Sequence, residues 1–94
     1  MVIGVAVLTL DLPEATTLKD KRSVIQSVTR RLRSRYNVAV AEVDTQDALG
    51  TITLGIACLS TTAGHAHAML EKAVRHVEEA RLDAVLTDYQ IELL

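Results

Sequence analysis

Five cations within one short window, Lys19, Lys21, Arg22, Arg30 and Arg33, are the residues of this 94-residue chain whose type and spacing point most directly to chemistry. Their shared chemistry is the capture of an anion, a phosphate or a carboxylate. Lys19, Lys21 and Arg22 crowd the first turn of a helix that opens after Thr17. Positive charge is mildly unfavourable at that end, yet free backbone amides there favour a bound anion, so the trio reads as an anion site. Arg30, Arg31, Arg33 and Arg35 stand toward the other end. There the helix dipole and the good helix propensity of arginine account for cations without any function.

The remaining candidates carry less. His65, His67 and His76 are the residues to suspect of catalysis or metal binding. On a helix His65 and His67 point about 160° apart, and no pair has the i, i+4 spacing of a helical metal site, so they read as surface histidines. The lone Cys58 has no basic neighbour in sequence to activate it and reads as a small core residue. Asp44, Gln46 and Asp47 fall in a hairpin loop, where turn chemistry explains them. No catalytic residue, metal site or cofactor site is expected, and the reading is of a non-enzymatic protein.

The cations need a helix to align them, and residues 17–36, TLKDKRSVIQSVTRRLRSRY, supply one. Thr17 and Asp20 form a capping-box pair, with Asp in place of the usual Glu or Gln. Val24, Ile25, Val28 and Leu32 lie within about 100° of one another on the helical wheel, a stripe that faces a core. Asn37 marks the end of the helix, because Asn tolerates the left-handed conformation that terminates helices.

Residues 1–12, MVIGVAVLTLDL, read as a central strand closed by Pro13. A second strand is expected at Val38–Asp44, a polar hairpin loop at Thr45–Gly50 and a third strand at Thr51–Leu59, with Ile52, Leu54, Ile56 and Cys58 on one face. Hydroxyls at Ser60–Thr62 cap a second helix over Ala63–Ala80, whose stripe is Ala66, Leu70, Ala73, Val74 and Val77. Arg81–Asp83 turn the chain into a last strand at Ala84–Leu94, with Val85, Tyr89, Ile91 and Leu93 on one side and Asp88, Gln90 and Glu92 on the other.

The order β-α-β-β-α-β with right-handed crossovers gives one α+β domain over residues 1–94, the ferredoxin-like split β-α-β fold. Its antiparallel four-stranded sheet runs in the order 4-1-3-2, with both helices on one face. The other sheet face is left open. Val2, Leu8, Leu10 and Leu59 are expected to point there, making an apolar surface suited to a symmetric homodimer through that face or the strand edges.

Charge is polarised along the chain. Residues 17–36 hold seven of the ten Lys and Arg and one of the twelve acids, a charge of +6; the other three basic and eleven acidic residues leave −8 elsewhere. Such asymmetry favours either an oriented encounter with a polyanion or head-to-tail self-association. A lone cysteine fits a reducing compartment, the N-terminal stretch reads as a strand and not a signal peptide, and no apolar run is long enough for a membrane span. A cytoplasmic protein is therefore expected.

The run Thr17–Arg22, the helix ending RLRSRYNV, the segment AEVDTQD from Ala41 to Asp47, the glycine-bearing strand and the closing TDYQIELL together resemble the YlxP-like family of small bacterial domains of unknown function. The likeness covers nearly the whole chain. It implies a ferredoxin-like fold and, because genes of that family often lie among those for translation initiation and ribosome maturation factors, an association with ribosomal RNA or the ribosome. It implies no catalytic residues. With only two Tyr and no Phe or Trp, and none of them on the central strands, bases cannot stack on the sheet. RNA would be held through phosphates by Lys19, Lys21, Arg22, Arg30 and Arg33, without DNA sequence specificity. The alternative is a dimeric small-ligand-binding or regulatory domain of ACT-like type, although the first loop, DLPEATT, lacks the usual glycine.

Overall fold

The computed structural model describes residues 1–80 and 83–94. Its elements follow in the order β1 (Val2–Asp11), α1 (Leu18–Arg35), β2 (Ala39–Glu42), β3 (Thr51–Ser60), α2 (Ala63–Ala80) and β4 (Val85–Leu93). The sheet order is β2-β3-β1-β4, which is the expected 4-1-3-2 read from the other edge, and every pairing is antiparallel. Of the turn expected at Arg81–Asp83, Arg81 and Leu82 lie outside the described residues.

Both helices bury the stripes that their periodicity assigns them. Val24, Val28 and Leu32 of α1 and Ala66, Leu70, Ala73, Val74 and Val77 of α2 join Ala6, Leu8 and Leu10 of β1 and Ile52, Leu54, Ile56 and Cys58 of β3 in one core. Thr62 opens α2 by accepting the His65 amide on its hydroxyl at 3.2 Å.

One face of β1 is the reverse of the expectation. Leu8, Leu10 and Leu12 are buried beneath the helices and Val2 packs against the same core, while Ile3 and Val7 are exposed on the open side. Gly4 explains the choice. A Cβ there would stand 2.8 Å from Leu70 Cδ1, 3.1 Å from Cys58 Sγ and 3.4 Å from Ala66 Cβ. Helix α2 sits against the strand where Gly4 and Ala6 leave room, and that close approach decides which apolar face goes inward. Leu59, 62% exposed, does lie on the open side.

The last strand holds a second departure. Its register against β1 shifts between Thr9 and Leu10, so that Thr9 pairs with Asp88 and Leu10 with Leu86. Thr87 is the extra residue, its hydroxyl donating to the Thr9 carbonyl at 3.2 Å. This bulge reverses the alternation. Leu86 turns to the core with Ile91, Tyr89 stays exposed, and Val85 turns outward, half-exposed.

Helix α1 also ends differently. Tyr36, in extended conformation at φ −131° and ψ 147°, is the C-cap and its amide donates to the Leu32 carbonyl. Among the described residues none has a positive φ, so Asn37 does not use the left-handed state. Strand β2 is shorter than expected at four residues, although the Val43 amide still donates to the Thr53 carbonyl at 2.9 Å.

The contact at Gly4 is directly testable. Gly4→Val should lower the stability to urea by about 1–3 kcal/mol, the usual cost of forcing extra methyl groups into a packed core. An unchanged unfolding midpoint would show that α2 does not approach β1 this closely.

Candidate nucleic-acid interface

The N-terminus of α1 is a complete capping box. The Asp20 amide donates to Thr17 Oγ1 at 3.1 Å, and the Asp20 carboxylate accepts from the Thr16 and Thr17 amides and the Thr16 hydroxyl, each at 3.1 Å. The Thr16 amide and hydroxyl and the Thr17 hydroxyl, in that order, hold the Asp20 carboxyl below the usual carboxylate range. The protein's own carboxylate thus fills the place where a bound anion was expected, and the first turn is not an open anion site.

Lys21 is not a surface ligand. Its side chain is 2% exposed and its Nζ lies 2.7 Å from Glu42 Oε2, while also donating to the carbonyls of Thr45 and Ala48. The three protons of the ammonium have three acceptors, which is the condition for burying such a group. Glu42 in turn accepts from the Thr45 hydroxyl at 2.8 Å, and that hydroxyl accepts the Thr53 amide at 2.7 Å. The β2–β3 loop is therefore folded around the end of Lys21. The position of this residue on the wheel announces its burial: Lys21, Val24, Val28 and Leu32 are spaced three, four and four apart, so Lys21 heads the apolar stripe.

The other four cations share one outward face. Lys19, Arg22, Arg30 and Arg33 are all exposed. At about 100° per residue they fall within an arc of about 80°, and at about 1.5 Å per residue the row is about 21 Å long. Among the described residues none of the four is within ion-pair distance of a carboxylate. Arg33 is tethered, one Nη2 donating to the Val40 carbonyl at 2.9 Å, and with Arg30 it borders an open groove of about 710 Å³ between α1 and the edge of β2. Arg31 is used differently: its guanidinium donates to the Ala80 carbonyl at 2.8 Å, closing the C-terminal end of α2.

The histidines stand apart from one another. His65 Nδ1 is 2.8 Å from Ser60 Oγ, and His67 is 3.7 Å from Glu71. His76 is half-buried and not a surface residue. Its ring meets Tyr36 edge-on at 6.1 Å, and its buried Nε2 has no hydrogen-bond partner. Burial first, then the charges of Arg35 and Arg31, push its pKa down against a weaker opposing pull from Glu79. No three metal-ligating side chains converge among the described residues. Cys58 is buried as expected.

The first loop borders a depression of about 240 Å³ whose lining includes Glu14, Asp20 and Asp83. Its described charged residues are all acidic. No helix among the described residues is long and apolar enough to cross a membrane.

The architecture is the ferredoxin fold. A de novo designed protein with that fold, solved by solution NMR, superposes with a TM-score of 0.54 at 20% identity, covering 98% of this chain and 85% of its own. The family follows from sequence: residues 3–91 match the model of the protein family of unknown function DUF503, and the chain belongs to that family. The uncharacterized protein YlxP of Bacillus subtilis (strain 168) is 26% identical over 65 residues, which are 69% of this chain and 71% of that protein.

Two outcomes test the site as described. Lys21→Met strands the Glu42 carboxylate and two loop carbonyls, and should cost about 3–5 kcal/mol in urea unfolding, as removal of one partner from a buried ion pair does. A loss under about 1 kcal/mol would deny Lys21 its place in the core. The cap has a pH signature. Asp20 is depressed in the folded state, so its contribution is complete above the unfolded carboxylate pKa and is lost as pH falls through the folded one. Asp20→Asn should flatten the acid limb of the melting temperature against pH, and an unaltered limb would remove the carboxylate from the cap.

Proposed function

We propose that this protein binds structured RNA through phosphate contacts on the outward face of α1, with Lys19, Arg22, Arg30 and Arg33 as the contacting residues. The observation that carries this reading is the row of four exposed cations without a carboxylate partner among the described residues, on a body that is otherwise acidic. A row of this length tracks a phosphate backbone and steers a polyanion to one side of the molecule. Readout is by charge and shape. The open face of β1 and β3 bears no aromatic ring, Tyr89 turns toward the helices with its hydroxyl 3.4 Å from Glu71, and Tyr36 meets His76. Ribosomal RNA is the target within that class, a choice that follows from the resemblance described above.

Four phosphate contacts imply a slope of log affinity against log salt of about −3 to −4, a loss of about 60–250-fold between 50 and 200 mM salt. Fluorescence anisotropy with a folded ribosomal RNA fragment measures this. The triple variant Lys19→Ala, Arg22→Ala, Arg30→Ala should retain its circular dichroism spectrum and drop to a slope of about −1. An affinity and slope equal to those of the unaltered protein would refute phosphate binding by α1.

A further inference from the structure

The open sheet face has a layout that favours one kind of occupant, a second copy of this chain, and one way of seating it. Ile3, Val5, Val7, Val43, Ala57 and Leu59 make an apolar field over β1, β2 and β3, with Val43 50% and Leu59 62% exposed. Strand β4 borders this field with Asp88, Gln90 and Glu92, all exposed. At the opposite border the β2 edge holds a shallow depression of about 310 Å³ lined by Val5, Ala41, Val43 and Gly55, with Arg33 reaching into its rim. One border of the face therefore carries two carboxylates, Asp88 and Glu92, and the opposite border one guanidinium, that of Arg33.

The size is adequate. Strands about 4.8 Å apart and about 3.3 Å per residue give a footprint of about 500–600 Å² per copy. Two such faces bury about 1,000–1,200 Å², the threshold for a specific interface. Charge then selects the arrangement. Two faces can meet about a two-fold axis lying in the interface and running either across the strands or along them. An axis across the strands stacks β4 on β4 and opposes Asp88 and Glu92 to themselves. Edge pairing of two β4 strands centred on Gln90 sets Asp88 directly against Glu92, an unfavourable like-charge pair. An axis along the strands, between β1 and β3, lays β4 of each copy over β2 of the other.

The pairing register gives the contacts. One row across the sheet reads Ala39, Ala57, Val5, Glu92. Turned about the lengthwise axis, Ala57 faces Val5 of the second copy, and Glu92 comes over Ala39 beside Arg33. We infer that the protein forms a two-fold dimer by packing its open sheet faces in this aligned manner, with Arg33 of each copy meeting Glu92 of the other. The two sheets then pack as in a β-sandwich, about 10 Å apart. This inference shares Arg33 with the proposed RNA-binding row and otherwise rests on the open sheet face alone.

Sedimentation equilibrium at 5–200 μM protein (about this range, set by the micromolar affinity of a small interface) tests it. The unaltered chain should weigh as a dimer. Ala57→Glu, which places a charge at the centre, and Leu59→Arg, at an exposed site where folding is not at stake, should each give monomer. Glu92→Arg should weaken the dimer at least about 10-fold, and adding Arg33→Glu should restore it. A monomer throughout the range overturns the proposal, as does a dimer that survives Leu59→Arg. A dimer lost in Leu59→Arg but indifferent to Glu92→Arg overturns the aligned arrangement.

Discussion

The buried ammonium of Lys21 is the constraint on which the two-layer arrangement depends. An apolar stripe such as Val24, Val28 and Leu32 can slide along a sheet at little cost, because dispersion and the hydrophobic effect are not directional. A buried ammonium cannot. Away from Glu42, Thr45 and Ala48 it would be a desolvated charge without acceptors, at a cost of several kcal/mol. The contact therefore sets α1 against β2 in one register. It also shapes the β2–β3 loop, whose Gly50 carbonyl then receives the Leu12 amide at 2.8 Å and ties the end of β1 to the same point. Strand β2 needs this help: it has four residues and one ladder partner. Arg33, on the Val40 carbonyl, is its second tie to α1.

The cations of α1 thus divide by what they touch. Lys21 and Arg31 spend their protons on loop and helix-end carbonyls, and Arg33 spends one of its donors on β2. Lys19, Arg22 and Arg30 have no protein acceptor among the described residues. A basic helix is often read as a uniform coat. Here the side facing the sheet uses charge to position backbone, and Lys19, Arg22 and Arg30 on the outward side are exposed. The capping box reinforces the division, since Asp20 neutralises the one place where the helix dipole itself would attract an anion.

Much of this was legible from residue patterns, and the failures have physical causes. The element order, the α2 stripe and the capping box rest on period and on side-chain chemistry within a few residues, so they are local. The orientation of β1 is not local. Both of its faces are apolar, so polarity contrast says nothing, and the decision falls to Gly4 and Ala6, whose small volume matters only once α2 is placed. The bulge at Thr87 is invisible to an alternation rule that assumes an unbroken period of two. Lys21 departs from expectation because its position on the helix, and not its residue type, decides its burial. A lysine in line with Val24, Val28 and Leu32 requires a buried acceptor set, and the segment AEVDTQDALG holds one.

The two sides of the molecule place a joint limit on any assembly. Helix α1 and the open sheet face are on opposite sides of the sheet, so face-to-face pairing takes up Arg33 at the interface and leaves Lys19, Arg22 and Arg30 of each copy pointing outward. With helices about 10–12 Å across and sheets about 10 Å apart, the rows would stand about 30 Å from each other. One phosphate backbone could not follow both. Such a dimer would instead hold two separate segments of a folded RNA, the second encounter being intramolecular and raised by effective concentration wherever the segments lie that far apart. A long uniform duplex would gain nothing from the second copy. Tertiary structure in the RNA, not sequence, would then decide where two weak phosphate contacts add up to one strong site.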